Sequence, residues 1–169
     1  DESAIKAEVE ESERGATESA KNTAKLESEV KKEAKEAEIE AIKESAEDEK
    51  KSINEIYDEY KVNVENDAIR RGLARSSVAL LQMDNVESSR AEALSNLAGK
   101  LSGDIQKIES EIINLQEELE ITLNNLDLEL ASKINEKIAE KVEKLEKKRA
   151  EAIEFNNKVS EMEVEYGQK

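Results

Sequence analysis

The 169-residue sequence contains no cysteine, histidine, tryptophan or proline. Its aromatic residues are confined to Tyr57, Tyr60, Phe155 and Tyr166. Each absence excludes something. Without cysteine there is no disulfide, thiol nucleophile, thiolate zinc site or iron–sulfur cluster. Without histidine there is no Ser-His-Asp triad, imidazole base or haem-type ligand, and the Glu-x-x-His pattern of di-iron bundles cannot occur. Apolar residues make up 37% of the chain, below the roughly 45–50% of a globular domain. With so few aromatics, a compact globular core is not expected. The longest uninterrupted apolar run is Val78-Ala79-Leu80-Leu81, whereas a transmembrane helix needs about 20 such residues. No secretory leader is visible, and a start at Asp1 leaves removal of one open.

What is present is charge and helix-forming residues. Charged residues make up 40%, and 26 basic against 42 acidic residues leave a net charge of −16. Ala, Glu, Lys, Leu and Ile dominate, all residues of high or fair helix propensity, and the strongest helix breaker is missing. Two classes fit: long helices burying a narrow stripe, or an acidic disordered chain.

Periodicity decides for helix. A stripe runs Leu97, Leu101, Ile105, Ile108, Ile112, Leu115, Leu119, Leu123, Leu126, Leu130, Ile134, Ile138, Val142, Leu145, in steps of three or four. A strand would need steps of two. Leu101, Ile112, Leu123, Ile134 and Leu145 are each eleven apart, as are Leu97, Ile108, Leu119 and Leu130. An eleven-residue repeat gives about 3.67 residues per turn, a seam that runs nearly straight or winds gently to the right. Ile113, Ile121 and Leu128 widen the apolar face beyond what a two-stranded coil needs. The stripe is therefore expected to be an association surface.

The first third is poorer. Residues 1–50 hold six large aliphatic residues, against sixteen in 101–150. The early stripe is expected to be alanine: Ala16, Ala20, Ala24, Ala34, Ala37 and Ala41. It gives way to a heptad rhythm through Ile39, Ile42, Ala46, Glu49, Ile53, Ile56, Tyr60 and Asn63. Residues 16–50, rich in Ala, Glu and Lys, resemble late embryogenesis abundant proteins in composition. That likeness covers about a fifth of the chain and stops at the Leu/Ile-rich half.

Asn66-Asp67, Gly72 and Ser76-Ser77 are turn and cap residues. They place a turn at 66–77, with Met83-Asp84-Asn85 as the alternative, and Ser76 or Ser77 as the cap of a helix opening at Val78. The expected fold is all-α: an elongated helical hairpin or coiled-coil bundle. Residues 1–65 form an N-terminal arm, 66–77 the turn region and 78–169 a C-terminal arm. The stripe passes straight through Gly99 and Gly103, so the second arm is expected to continue past both.

Four of the six arginines (Arg70, Arg71, Arg75, Arg90) fall within 70–90. Net charge is −10 over 1–60 (10 basic, 20 acidic), +1 over 61–100 (6 and 5) and −7 over 101–169 (10 and 17). Two readings of this segment stand. It is an elbow whose arginines pair with the acidic arms, or a docking tip in which Arg70, Arg71 and Arg75 make polar contacts while Leu73, Leu80, Leu81 and Met83 act as anchors. Nucleic acid is a poor partner for an acidic chain without stacking platforms.

No catalytic, cofactor-binding or metal-binding residue is expected. Carboxylates on a helix surface lack the cleft that raises a catalytic pKa, and no calcium-loop or phosphate-loop spacing occurs. The sequence thus reads as a non-enzymatic structural or interaction protein scaffolding a larger assembly, either a homo-oligomer, a virion or an envelope-associated machine. The alternative is a stress-type or lipid-coating amphipathic protein that folds on its target. Protein partners or self-association are expected, with membrane-surface contact disfavoured. Cytosolic, virion and surface locations all remain open.

Overall fold

The computed structural model describes residues 2–167. The fold is all-α, a hairpin of two long helices with no strand among the described residues. Helix α1 spans Glu2–Arg70 and α2 spans Ser77–Gly167. The absence of proline lets both run on, and the backbone stays helical through Gly15, Gly99 and Gly103.

The connection is narrower than the stretch 66–77 suggests. Helix α1 continues through Asn66 and Asp67, and residues 71–76 make the turn. Gly72 stops α1 because it adopts φ +73°, which costs glycine no Cβ clash. The amide of Leu73 donates to the carbonyl of Ala68 (2.7 Å) and that of Gly72 to Ile69 (3.1 Å). This is the Schellman pattern, which satisfies the last carbonyls of a helix. The Ser76 amide donates back to the Leu73 carbonyl (2.9 Å). The Ser76 hydroxyl then accepts from the Ala79 amide at 3.1 Å, capping α2. Ser76 is therefore the cap, and Met83-Asp84-Asn85 lies inside α2.

Two compact units make up the chain: residues 28–117, and residues 1–27 with 118–169. In the first, Ala46, Ala68, Ala79 and Ile108 are the most buried apolar residues. Met83, Val86, Leu94, Leu97, Leu101, Ile105, Ile112 and Leu115 are half-buried around them. In the second, Val9 is 3% exposed, and Leu119, Leu123, Leu126, Leu130, Ile134, Ile138, Val142 and Leu145 are half-buried. From Glu146 to Gly167 every residue is exposed.

The inward face of α1 differs from the alanine-and-heptad expectation. Ala20 and Ala24 are half-buried, whereas Ala16, Ala34, Ala37 and Ala41 are exposed. Ile56, Tyr60, Glu49 and Asn63 are exposed too, although the heptad rhythm would turn them inward. The buried line instead runs through Glu13 and Ala24 in one unit and Lys35, Ala46, Tyr57 and Ala68 in the other, each spaced by eleven. Around an undistorted helix a seven-residue line drifts about 20° one way in seven residues, while an eleven-residue line drifts about 20° the other way in eleven, so it strays less per residue. Helix α1 therefore presents the same period as α2.

Candidate interaction surfaces

Polar side chains fill the places where α1 lacks apolar bulk. In the 28–117 unit, Lys35 pairs with Glu111 (2.8 Å), Lys61 with Glu87 (2.7 Å) and Arg90 with Asp58. In the other, Lys21 pairs with Asp127 and Lys137 with Glu13. The hydrogen bond from Lys61 holds the Glu87 carboxyl below its ordinary range, and that from Lys35 does the same for Glu111. The pKa values of the Lys21, Lys35 and Lys137 ammonium groups are raised, first by the hydrogen bonds they donate to Asp127, Glu111 and Glu13 respectively. These lysines keep side-chain exposures of 21%, 31% and 53%. Lys21 and Lys35 are half-buried, and the head of each reaches an acid on α2.

Arg90 belongs to this seam and not to the turn. Its side chain is 17% exposed, it bonds Asp58 across the helices, and its Nε is buried without a hydrogen-bond partner. It sits eleven residues before Leu101 and eleven after Ala79. The repeat therefore begins at Ala79, two turns of the pattern earlier than the leucine and isoleucine residues alone reveal.

The turn carries a different surface. Arg70 and Arg71 both reach Asp67 on their own helix, at 3.3 and 3.4 Å. Arg75 is exposed and has no ion-pair partner among the described residues. Around them Ile69, Leu73, Val78, Leu80 and Leu81 stand 43–60% exposed. Met83 is half-buried and in phase with Leu94, eleven residues on, so it is not an exposed anchor beside them. Ile69 and Val78, which are not among the anchors the sequence offered, are exposed beside the same turn. No acidic residue occurs between Asp67 and Asp84. The patch is thus apolar and basic on a chain that is otherwise acidic.

The widening residues of α2 behave differently from its seam. Ile113 in one unit, and Ile121 and Leu128 in the other, are 53–69% exposed. A shallow cleft of about 120 Å³ lies beside Ala46, lined by Ile42, Leu97 and Leu101 among others. Gly99 and Gly103 have open space where a Cβ would stand, so neither marks a close helix approach within the chain. Among the described residues no group of three or more acidic side chains converges as a metal site, and no helix is long and apolar enough to cross a membrane.

The chain belongs to a family of unknown function (DUF7934), whose model matches residues 2–169. No curated protein and no solved structure matches it.

Proposed function

We propose that the chain is a non-enzymatic structural protein, an α-helical hairpin subunit that scaffolds a larger assembly through protein–protein contacts. The observation that carries this reading is the turn patch. Leu73, Arg71 and Arg75 are exposed on a turn that is fixed by a Schellman motif and a serine cap, with Ile69, Arg70, Val78, Leu80 and Leu81 exposed on the helix ends beside it. Exposed apolar residues grouped beside polar ones mark contact surfaces, and arginine with aliphatic anchors suits a specific protein contact. The flank residues Ile121 and Leu128 add a second apolar surface that the chain does not cover. The seam from Leu97 to Leu145 is, by contrast, half-buried or buried within the single chain. Its first role is therefore to hold the hairpin, and association falls to the flank and the turn.

Solution mass by light scattering at several concentrations, with far-UV circular dichroism, tests this. A helical chain whose mass exceeds 18.9 kDa, and whose association falls on Leu128→Glu without loss of helix, supports scaffolding. A chain that is coil until liposomes are added would instead establish the lipid-coating alternative. Arg71→Glu with Arg75→Glu separates the two readings of the turn. Loss of assembly with helicity intact fits docking, and unfolding of the hairpin fits an elbow.

A further inference from the structure

Between Leu145 and Gly167 the apolar pattern changes period. The line that faces α1 in steps of eleven continues from Val142 only as Ile153 and Val164, with Arg149, Asn156 and Ser160 between them. A second line takes over with steps of 3-4-3-4: Ala152, Phe155, Val159, Met162, Tyr166. At about 100° per residue, Phe155, Val159, Met162 and Tyr166 centre on a face turned about 90° from that of Ile134, Ile138, Val142 and Leu145. A helix laid along the α1-facing seam would not cover it. Within the chain it is uncovered: Phe155 is 65% exposed, Met162 54% and Tyr166 75%.

We infer that residues 152–167 pair with the same segment of a second copy as a short antiparallel coiled coil. This deepens the scaffolding reading and rests on it. The seven-residue spacing puts Val159 and Tyr166 at a positions and Phe155 and Met162 at d positions. In an antiparallel coil, a residues lie level with d residues of the partner. A two-fold axis between Ser160 and Glu161 sets Phe155 of each copy opposite Tyr166 of the other, and Val159 opposite Met162. Four consecutive apolar layers result, with no polar residue in any of them. The same register brings Lys158 of each copy beside Glu165 of the other on the flank. Shifting the antiparallel pairing by one heptad sets Lys158 against Lys158 and Glu151 against Glu165, so among antiparallel registers charge selects the first.

Four layers are few, so the self-affinity is expected to be about micromolar. Sedimentation velocity on the full chain over a range of concentrations is the test. The expected result is a reversible two-chain species whose dissociation constant rises about 100-fold in Phe155→Glu, with helicity unchanged. Lys158→Glu should weaken the pairing about 3- to 10-fold, and Lys158→Glu with Glu165→Lys should restore it. Restoration by Lys158→Glu with Glu163→Lys instead would mean a parallel pair and overturn the inference. Association that survives Phe155→Glu but falls on Leu128→Glu would overturn it while leaving the scaffolding reading in place. A single-chain mass at every concentration would overturn it outright, and the turn variants would then decide scaffolding separately.

Discussion

The three glycines of the 28–117 unit should respond to one substitution with opposite signs. Gly99 and Gly103 lie in the interior of α2, have helical backbone, and have nothing within 4 Å of where a Cβ would be. Alanine there adds helix propensity without a clash. Each Gly→Ala change should stabilise by about 0.5–1 kcal/mol, through lost freedom of the unfolded chain and better helix propensity. Gly99→Ala with Gly103→Ala together should give about 1–2 kcal/mol, since both sites are open. Gly72 also has open space, but its φ of +73° is one that side-chain-bearing residues adopt only with strain. Gly72→Ala should therefore destabilise by about 1 kcal/mol. The assay is thermal unfolding by circular dichroism. The chain has 169 residues, a size at which 1 kcal/mol moves the midpoint by roughly 2–4 °C. The double variant should thus melt roughly 2–8 °C above the parent, and Gly72→Ala below it. If Gly99→Ala and Gly103→Ala lower the midpoint, the two positions meet something in solution that the single chain lacks. The same outcome with a reduced solution mass would make them a contact face.

Other expectations follow from the packing and the ion pairs. Ile108 is 7% exposed, and Ile108→Ala should cost about 2–3 kcal/mol, while Ile113→Ala, at 53% exposure, should cost under about 0.5 kcal/mol in urea unfolding. Ser76→Ala removes the acceptor of the Ala79 amide and should cost about 1 kcal/mol, with Ser76→Asp largely restoring it. Glu87 and Glu111 have lowered pKa values. Their stabilising contribution is therefore present above the unfolded carboxylate value of about 4.3 and is lost as pH falls through the folded values. Glu87→Gln with Glu111→Gln should melt below the parent at pH 7, and that gap should close in acid and shrink in high salt. Lys21, Lys35 and Lys137 have raised values. Their contribution holds below about pH 10.4 and should fade as pH rises through the folded values, so Lys35→Met should lose its difference from the parent only in strong alkali.

How much of this could be read in the sequence depended on which residue types carried each signal. Helix α2 was legible because leucine and isoleucine mark its seam at nearly every step. The turn was legible because Gly72 and Ser76 each have a specific backbone task. Helix α1 was not, because its inward line alternates alanine with lysine, glutamate and tyrosine. Ala46 and Ala41 look alike as letters, yet one is 9% exposed and the other faces solvent. Lys35 reads as surface until Glu111 is placed opposite. Arg90 shows the same limit. Its neighbours in sequence suggested a basic turn, whereas its phase, eleven residues from Leu101, belongs to the seam.

An eleven-residue period on both helices, apolar on α2 and mixed on α1, leaves the register open to a slip by a full repeat, because the leucines and isoleucines of α2 would again face α1. What removes it in the 28–117 unit is chemistry that does not repeat. The numbers of the paired residues Lys35–Glu111, Lys61–Glu87 and Arg90–Asp58 add to between 146 and 148, so each pair is centred on positions 73–74. Those positions lie inside the six-residue turn fixed by Gly72 and Ser76. Turn geometry and ion pairs therefore specify one register, and slipping by eleven would break the pairs and rebuild the turn together. Such a device also fixes what the turn displays. Leu73 and Arg75 sit between the αL residue and the cap, where the backbone is hydrogen-bonded on both sides. The exposure of the patch at the turn is thus a property of a specified structure and not of a frayed end, and this is why a contact there is the reading to test first.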